Sequence, residues 1–416
     1  GTQDKEAAPA PRSLFPIVPT RNPRRRPTMP PPVPMDEPVE DVLFHLPPVL
    51  MDELVEEVLL RLPPDEPAWL VRASAACKPW RHILADPGFR RRYREFHRTP
   101  PVLGFFDCDA RFIPTSSLLP APPDPALPPS CISLDCRHGR ALFADYGKDQ
   151  PTFDLIVLDP LSLKGHQSHV PFPVEDSFRF SAAVLCAAQG CDHHGCQGGC
   201  FFVALVATDD LVEGVTSGWL YSSETRVWSE LTSVHHPNVK CVSHLAEPSV
   251  LVGDALYFNA DGIIEFQLGM HRLSMFEKPI HRNGHLMKAE DGGLAFAAMV
   301  DDDTNLIMWS IDTGLDGAME WEKLRVIDLK TLLPDGALWI PALGYGISSW
   351  PGIFLSASAE GTQVIFVSIC TGFYMVDLKS GRAKKVSRDH RRGEKCFPYV
   401  NFYIPAMEEA CTSQGQ

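Results

Sequence analysis

Beyond Pro100 the sequence shows short β-rich runs alternating with Gly, Pro, Asp and Asn turns and no helical stripe, which restricts most of its 416 residues to an all-β architecture. The runs include Phe153–Leu158, Cys200–Ala207, Gly218–Tyr221, Ala255–Phe258, Ile263–Phe266, Leu306–Trp309 and Val364–Val367. A looser pattern repeats on top of them: a strand, a turn, a second strand and a polar return. It is visible at Leu155–Leu163, Trp219–Trp228, Leu256–Leu268, Met308–Trp321 and Phe366–Val376. An interval of a few tens of residues matches a blade of four strands. The alternative, a single sandwich, would have to absorb an unusual length of strand. The expectation is therefore an irregular β-propeller of about six blades, although the sequence signatures of the common propeller repeats are absent.

The front of the chain has a different character. Met51-Asp52-Glu53-Leu54-Val55-Glu56-Glu57-Val58-Leu59-Leu60-Arg61-Leu62 places Met51, Leu54, Val55, Val58, Leu59 and Leu62 on one helical face. Asp52, Glu53, Glu56 and Glu57 take the other face, early enough to suit the positive end of the helix dipole. Pro63 and Pro64 stop the helix. A second short helix is expected over Ala68–Ala76, and a third from Pro79 carrying Trp80, Ile83 and Leu84, before Asp86-Pro87-Gly88 breaks the chain. Phe89–His97 is strongly basic. Just upstream, Pro31–Pro48 nearly duplicates the first helix, with Val39, Val42, Leu43 and Leu46 as its stripe, but no second and third helices follow it. Three short helices make a very small core, so some of Leu54, Val58, Leu59, Leu62, Leu70, Val71 and Trp80 are expected to face a partner.

The ordered set Met51–Pro64, then Leu70-Val71-Arg72-Ala73-Ser74-Ala75-Ala76-Cys77-Lys78-Pro79-Trp80-Arg81-His82-Ile83-Leu84-Ala85-Asp86-Pro87-Gly88-Phe89-Arg90, resembles an F-box. The rest of the chain is similar to the propeller-type associated region of grass F-box proteins. The pieces that carry this are Cys136-Arg137-His138-Gly139-Arg140-Ala141-Leu142-Phe143, Val157-Leu158-Asp159-Pro160 and Cys191-Asp192-His193-His194-Gly195-Cys196. The resemblance implies a non-catalytic subunit of an SCF-type ubiquitin ligase. Its F-box would dock a Skp-type adaptor, and through it cullin and RING subunits, while the propeller would bind an unknown protein target. The adaptor-binding residues so implied are Met51, Leu54, Val58, Leu59, Leu62, Pro63, Pro64, Leu70, Val71, Cys77, Trp80 and Arg81, with Trp80 and Pro63 as the expected anchors. The family usually has Pro after the opening Leu, whereas Leu50 is followed here by Met51. Two alternatives stay open: an F-box-derived interaction protein that no longer joins a ligase, and a propeller enzyme, for which no convergent carboxylates or metal can be assigned.

Other chemistries find less support. A net charge of −14 argues against a nucleic-acid binder. The longest apolar run, Phe201–Ala207, is far short of the ~20 residues needed to span a bilayer. The N-terminus lacks a secretory h-region and no Asn-x-Ser/Thr sequon occurs, so the twelve cysteines are expected to be reduced and the chain to work in the nucleus and/or cytoplasm. Arg24-Arg25-Arg26 reads as a solvated linker or a nuclear-import patch. Cys186, Cys191, His193, His194, Cys196 and Cys200 are residue types that can hold tetrahedral zinc. Their spacing lacks the paired Cys-x-x-Cys form and glycine-rich turns interrupt it, so the expectation is no metal and no cofactor. Asp301-Asp302-Asp303-Thr304-Asn305 lacks the Gly and closing Glu of a calcium loop and reads as a polar turn. His235 and His236 have no paired nucleophile.

The expected organisation is multidomain α + β. Residues 1–34 form a disordered Pro/Arg-rich terminus, 35–48 the partial duplicate, and 49–98 a three-helix F-box. A linker follows at 99–130, then the all-β propeller at 131–405 and a tail at 406–416.

Overall fold

The structure is a computed structural model that describes residues 52–116, 127–147, 153–161, 167–173, 178–188, 191, 193, 196, 198–209, 215–235, 247–270, 272–280, 284–300, 304–313, 319–338, 353–387 and 393–405. The N-terminal segment, the duplicated helix, Met51, Asp301–Asp303, His194, His236 and the tail lie outside the described residues. No described helix is long and apolar enough to cross a membrane.

Among the described residues, four helices, one more than expected, precede the strands: α1 (Asp52–Leu60), α2 (Ala68–Ala76), α3 (Lys78–Ala85) and α4 (Pro87–His97). The Asp86-Pro87-Gly88 break is also a helix start. The Asp86 carboxylate accepts from the Gly88 and Phe89 N–H groups at 3.1 and 3.3 Å, and Pro87 fits the first turn, where no backbone donor is needed. The basic stretch thus becomes α4, which turns Phe89 and Tyr93, one turn apart, into the core. Arg91 and Arg92 face outward, Arg92 pairing with Glu56 of α1, while Arg90 is half-buried and donates to the Leu84 carbonyl.

Among the described residues, twenty-three strands follow in six antiparallel sheets, a six-bladed propeller. Sheet one is β3–β6 (Cys131–Arg137, Arg140–Asp145, Asp154–Leu158, Gln167–Pro171) and sheet two is β7–β10 (Phe178–Cys186, Phe201–Asp209, Val215–Ser222, Val227–His235). Sheet three is β11–β14 (Val250–Val252, Ala255–Asn259, Ile263–Gln267, Arg272–Phe276) and sheet four is β15–β18 (Gly284–Lys288, Leu294–Met299, Asn305–Thr313, Met319–Asp328). Sheet five is β19–β22 (Phe354–Ala359, Val364–Ile369, Gly372–Asp377, Arg382–Ser387). The sixth joins the two ends of the domain, in the order β2 (Phe112–Pro114), β1 (Val102–Asp107), β23 (Cys396–Val400).

Successive sheets meet along one edge strand each, β3 by β7, β11 by β15, β15 by β19, β19 by β23 and β23 by β3, while β10 and β14 bring sheets two and three together. Six apolar clusters fill the six gaps and close the ring. The period of two in a strand makes this possible: in β8, Val203, Leu205 and Ala207 enter the gap to sheet one, while Ala204 and Val206 enter the gap to sheet three. A strand buried on both faces reads as one continuous apolar run, as the sequence shows there.

The expected linker over 99–130 is corrected at its start. Residues 102–107 form the middle strand of the closing sheet, with Phe105 opposite Pro398 and Phe106 opposite Phe397. The Phe105 ring packs at a tilt against Phe366 and Phe373 of sheet five, so the ring of blades would stay open without this strand. After β23 the chain runs back into the helices. Phe402 is buried in the helical core against Tyr93, and the Arg90 guanidinium donates to the Pro405 carbonyl at 3.1 Å. Phe402→Ala is therefore expected to destabilise the helical unit by about 3 kcal/mol, read as a lower urea midpoint for α-helical circular dichroism.

Candidate functional site

The apolar stripe of α1 is wider than its core requires, and the structure splits it. Val55 and Leu59 turn inward to join Leu70, Ala73, Leu84, Phe89, Tyr93 and Phe402. Leu54 and Val58, one turn apart on the other side of the stripe, are 51% and 57% exposed. Of the residues expected at the adaptor surface, Leu59 (1%) and Leu70 (0%) are corrected to core: enclosed on all sides, they hold the helices together and have no surface to offer. Leu62 and Trp80 are half-buried against that same core, and Pro64 and Val71 are also intermediate. Pro63, Cys77 and Arg81 are exposed, the Arg81 guanidinium donating to the Ser74 carbonyl at 3.1 Å.

Two aromatic residues on the helices are also exposed and were not anticipated: Trp69 on α2, with the Arg72 guanidinium 5.3 Å from its ring centre, and Phe96 on α4. Helical spacing carried the signal for Trp69. With Leu70 and Ala73 inward, the neighbouring 69/72 row must face out.

A second feature lies inside the ring. Arg137, at the end of β3, is buried. Its guanidinium pairs with Asp135 at 3.0 Å and Glu360 at 2.6 Å and donates to the Ser249 hydroxyl and carbonyl at 3.1 and 2.7 Å. Asp135 also accepts the Val184 N–H at 2.9 Å. Together the two side chains tie sheet one to sheet two and to the segments beside sheets three and five. Burial pushes the Asp135 carboxyl up to about 6, with Arg137 opposing the rise.

Beside it, Lys395 pairs with Glu247 at 3.0 Å and donates to His285 Nε2 at 2.6 Å. Burial, and then the Lys395 charge, push the His285 imidazole down to about 4. An unfolded chain takes up this proton near pH 6.5, so between those values the unfolded state binds more protons than the folded one. Stability is expected to fall as pH drops from about 6.5 toward 4, by up to ~1.4 kcal/mol per pH unit from this group. His285→Gln should flatten that slope in urea titrations at stepped pH.

The third feature is the β7–β8 connection. Cys186, Cys191, His193 and Cys196 bring one ligand atom each to within 4.8 Å of one another, although their spacing pointed away from a metal site. Cys200 is exposed and outside this group. The Cys191 and Cys196 sulfurs are 3.3 Å apart, and Cys196 Sγ lies 3.5 Å from His193 Nδ1. The His138 ring stacks on His193 at 4.1 Å and accepts the Cys186 N–H at 3.1 Å, while burial pushes its pKa down to about 2. Burial and the Cys191 thiol raise the Cys196 thiol. Burial works the same way on Cys186, but the Ala188 N–H and the two neighbouring thiols bring it below its ordinary value.

The F-box domain family matches residues 36–92, beginning inside the first copy of the duplicated helix, so the front of this chain carries an F-box domain. No curated protein matches the chain. Among solved structures it is similar to a periplasmic gluconolactonase of Pseudomonas aeruginosa (13% identity, 71% of this chain and 79% of that one, TM-score 0.37). It is also similar to an oligogalacturonate lyase in complex with manganese (9%, 63% and 79%, 0.33) and to a Lactobacillus plantarum protein (12%, 63% and 71%, 0.32). None of these likenesses bears on what this chain does.

Proposed function

We propose that this chain is the substrate-recognition subunit of an SCF-type ubiquitin ligase and catalyses no reaction of its own. The helical unit docks a Skp-type adaptor, which bridges to cullin and RING subunits, and the propeller holds a protein target. No nucleic acid or membrane takes part. The observation that carries this reading is the F-box match on helices that leave Leu54 and Val58 outside a core already closed by Leu59, Leu70 and Phe402. Apolar side chains on one exposed helix face are what a partner helix or groove covers.

Such a subunit works by raising the effective concentration of a target lysine near the charged conjugating enzyme. A firm join between helices and propeller serves that end, and it is supported by the packing of Phe402 and the Arg90–Pro405 bond. The test is to mix the purified chain with a purified Skp-type adaptor and weigh the product by light scattering. A one-to-one complex is expected, and two separate species at micromolar concentration would remove the reading.

A further inference from the structure

We propose that the β7–β8 loop is a zinc site, with Cys186, Cys191, His193 and Cys196 as its four ligands. The first point is geometric. Zn–S bonds of about 2.3 Å and Zn–N bonds of about 2.0–2.1 Å imply tetrahedron edges of roughly 3.5–3.8 Å. The Cys196–His193 separation of 3.5 Å is already such an edge, the Cys191–Cys196 separation of 3.3 Å is close to one, and every pair lies within 4.8 Å. Three thiols and one imidazole are a complete structural set with no open position for a substrate.

The second point is what else could hold this loop. Between Cys186 and Phe201 the sequence is Ala-Ala-Gln-Gly-Cys-Asp-His-His-Gly-Cys-Gln-Gly-Gly-Cys, so two alanines are its only apolar side chains apart from the cysteines. No apolar cluster can fix it, yet Cys196 is buried and the backbone takes positive φ at His193, Gly198 and Gly199. Arg140 pins its far end by donating to the Gly198 and Gly199 carbonyls, and a metal supplies ordering energy to the stretch before it.

The third point is the surrounding shell. The Ala188 N–H lies 3.5 Å from the Cys186 sulfur, aimed at a would-be thiolate. The His138 ring stacks on the His193 ligand and so fixes its plane. The loop is also set close against its neighbours: Gly139 has φ of +73°, and a Cβ there would collide with the Cys196 carbonyl. Zinc binding at this loop thus locks the turn of sheet two onto the β3–β4 turn of sheet one.

The test uses the full chain, purified under reducing conditions with zinc present. One zinc per chain is expected by elemental analysis, and cobalt exchanged for it should give the visible absorption of a tetrahedral thiolate complex. Cys191→Ser should lose the metal, while Cys200→Ser, outside the quartet, should keep it. Should Cys191→Ser fail to fold, a mercurial added to the unaltered chain should release one zinc to a chelating dye. Protein that takes up neither zinc nor cobalt overturns the proposal. So does zinc retained at full stoichiometry in a folded Cys191→Ser variant, or a Cys191–Cys196 disulfide in metal-free protein. Adaptor docking is unaffected by any of these outcomes, because the site lies on the propeller.

Discussion

Leu54→Asp combined with Val58→Asp should abolish co-purification with a Skp-type adaptor while leaving the thermal midpoint nearly unchanged. Both side chains are more than half exposed, so their replacement removes nothing from the folded core, and surface changes of this kind shift stability by only about 0.5 kcal/mol. At a docked interface each would be buried, and about 1.5–3 kcal/mol is lost per apolar side chain. At ~1.4 kcal/mol per tenfold, the pair predicts a fall of two orders of magnitude or more, enlarged by the desolvation of two carboxylates. Leu59→Ala is the contrasting control. It should cost about 2–5 kcal/mol of stability, because a fully enclosed side chain leaves a cavity. Trp80→Ala is a poorer probe, since Trp80 rests on the same core and its loss loosens the helices as well. Full adaptor binding by the double aspartate variant would place the docking face elsewhere.

Arg137→Met should be the most damaging single change in the propeller. Its guanidinium is the cation that pairs with Asp135 among the described residues, so the substitution strands a buried carboxylate and empties the hydrogen bonds at Ser249 and Glu360. Breaking a buried ion pair in this way costs about 3–5 kcal/mol. Adding Asp135→Asn should recover part of the loss, a non-additivity readable in urea unfolding curves of the two single variants and the double. A loss of under about 1 kcal/mol for Arg137→Met would show that the network carries little of the ring's stability.

The all-β body was legible because blade strands buried on both faces leave unbroken apolar runs. Phe153–Leu158, Cys200–Ala207 and Val364–Val367 coincide with β5, β8 and β20 to within a residue or two. The closing sheet was not legible. Val102–Asp107 is apolar enough, but prolines precede it and its partner β23 lies nearly three hundred residues away. Long-range pairing of this kind leaves no local mark. Arg137 was visible only as part of a short motif, because Ser249 and Glu360 are remote in sequence. On α1 the stripe showed which residues are apolar, but which half meets the core depends on where α4 and Phe402 sit. The Cys/His loop misled in the opposite direction: irregular spacing argued against convergence, and left-handed turns at His193, Gly198 and Gly199 brought the donors together regardless.

The position of Phe402 has a consequence for synthesis. The helices are synthesised before the propeller, yet their core waits for a ring that follows β23, the strand that seals the propeller. A product terminated before β23 would keep the four helices but lack both the plug that steadies them and the strand that closes the ring. Sealing the propeller and completing the helical core thus fall at the same point in synthesis.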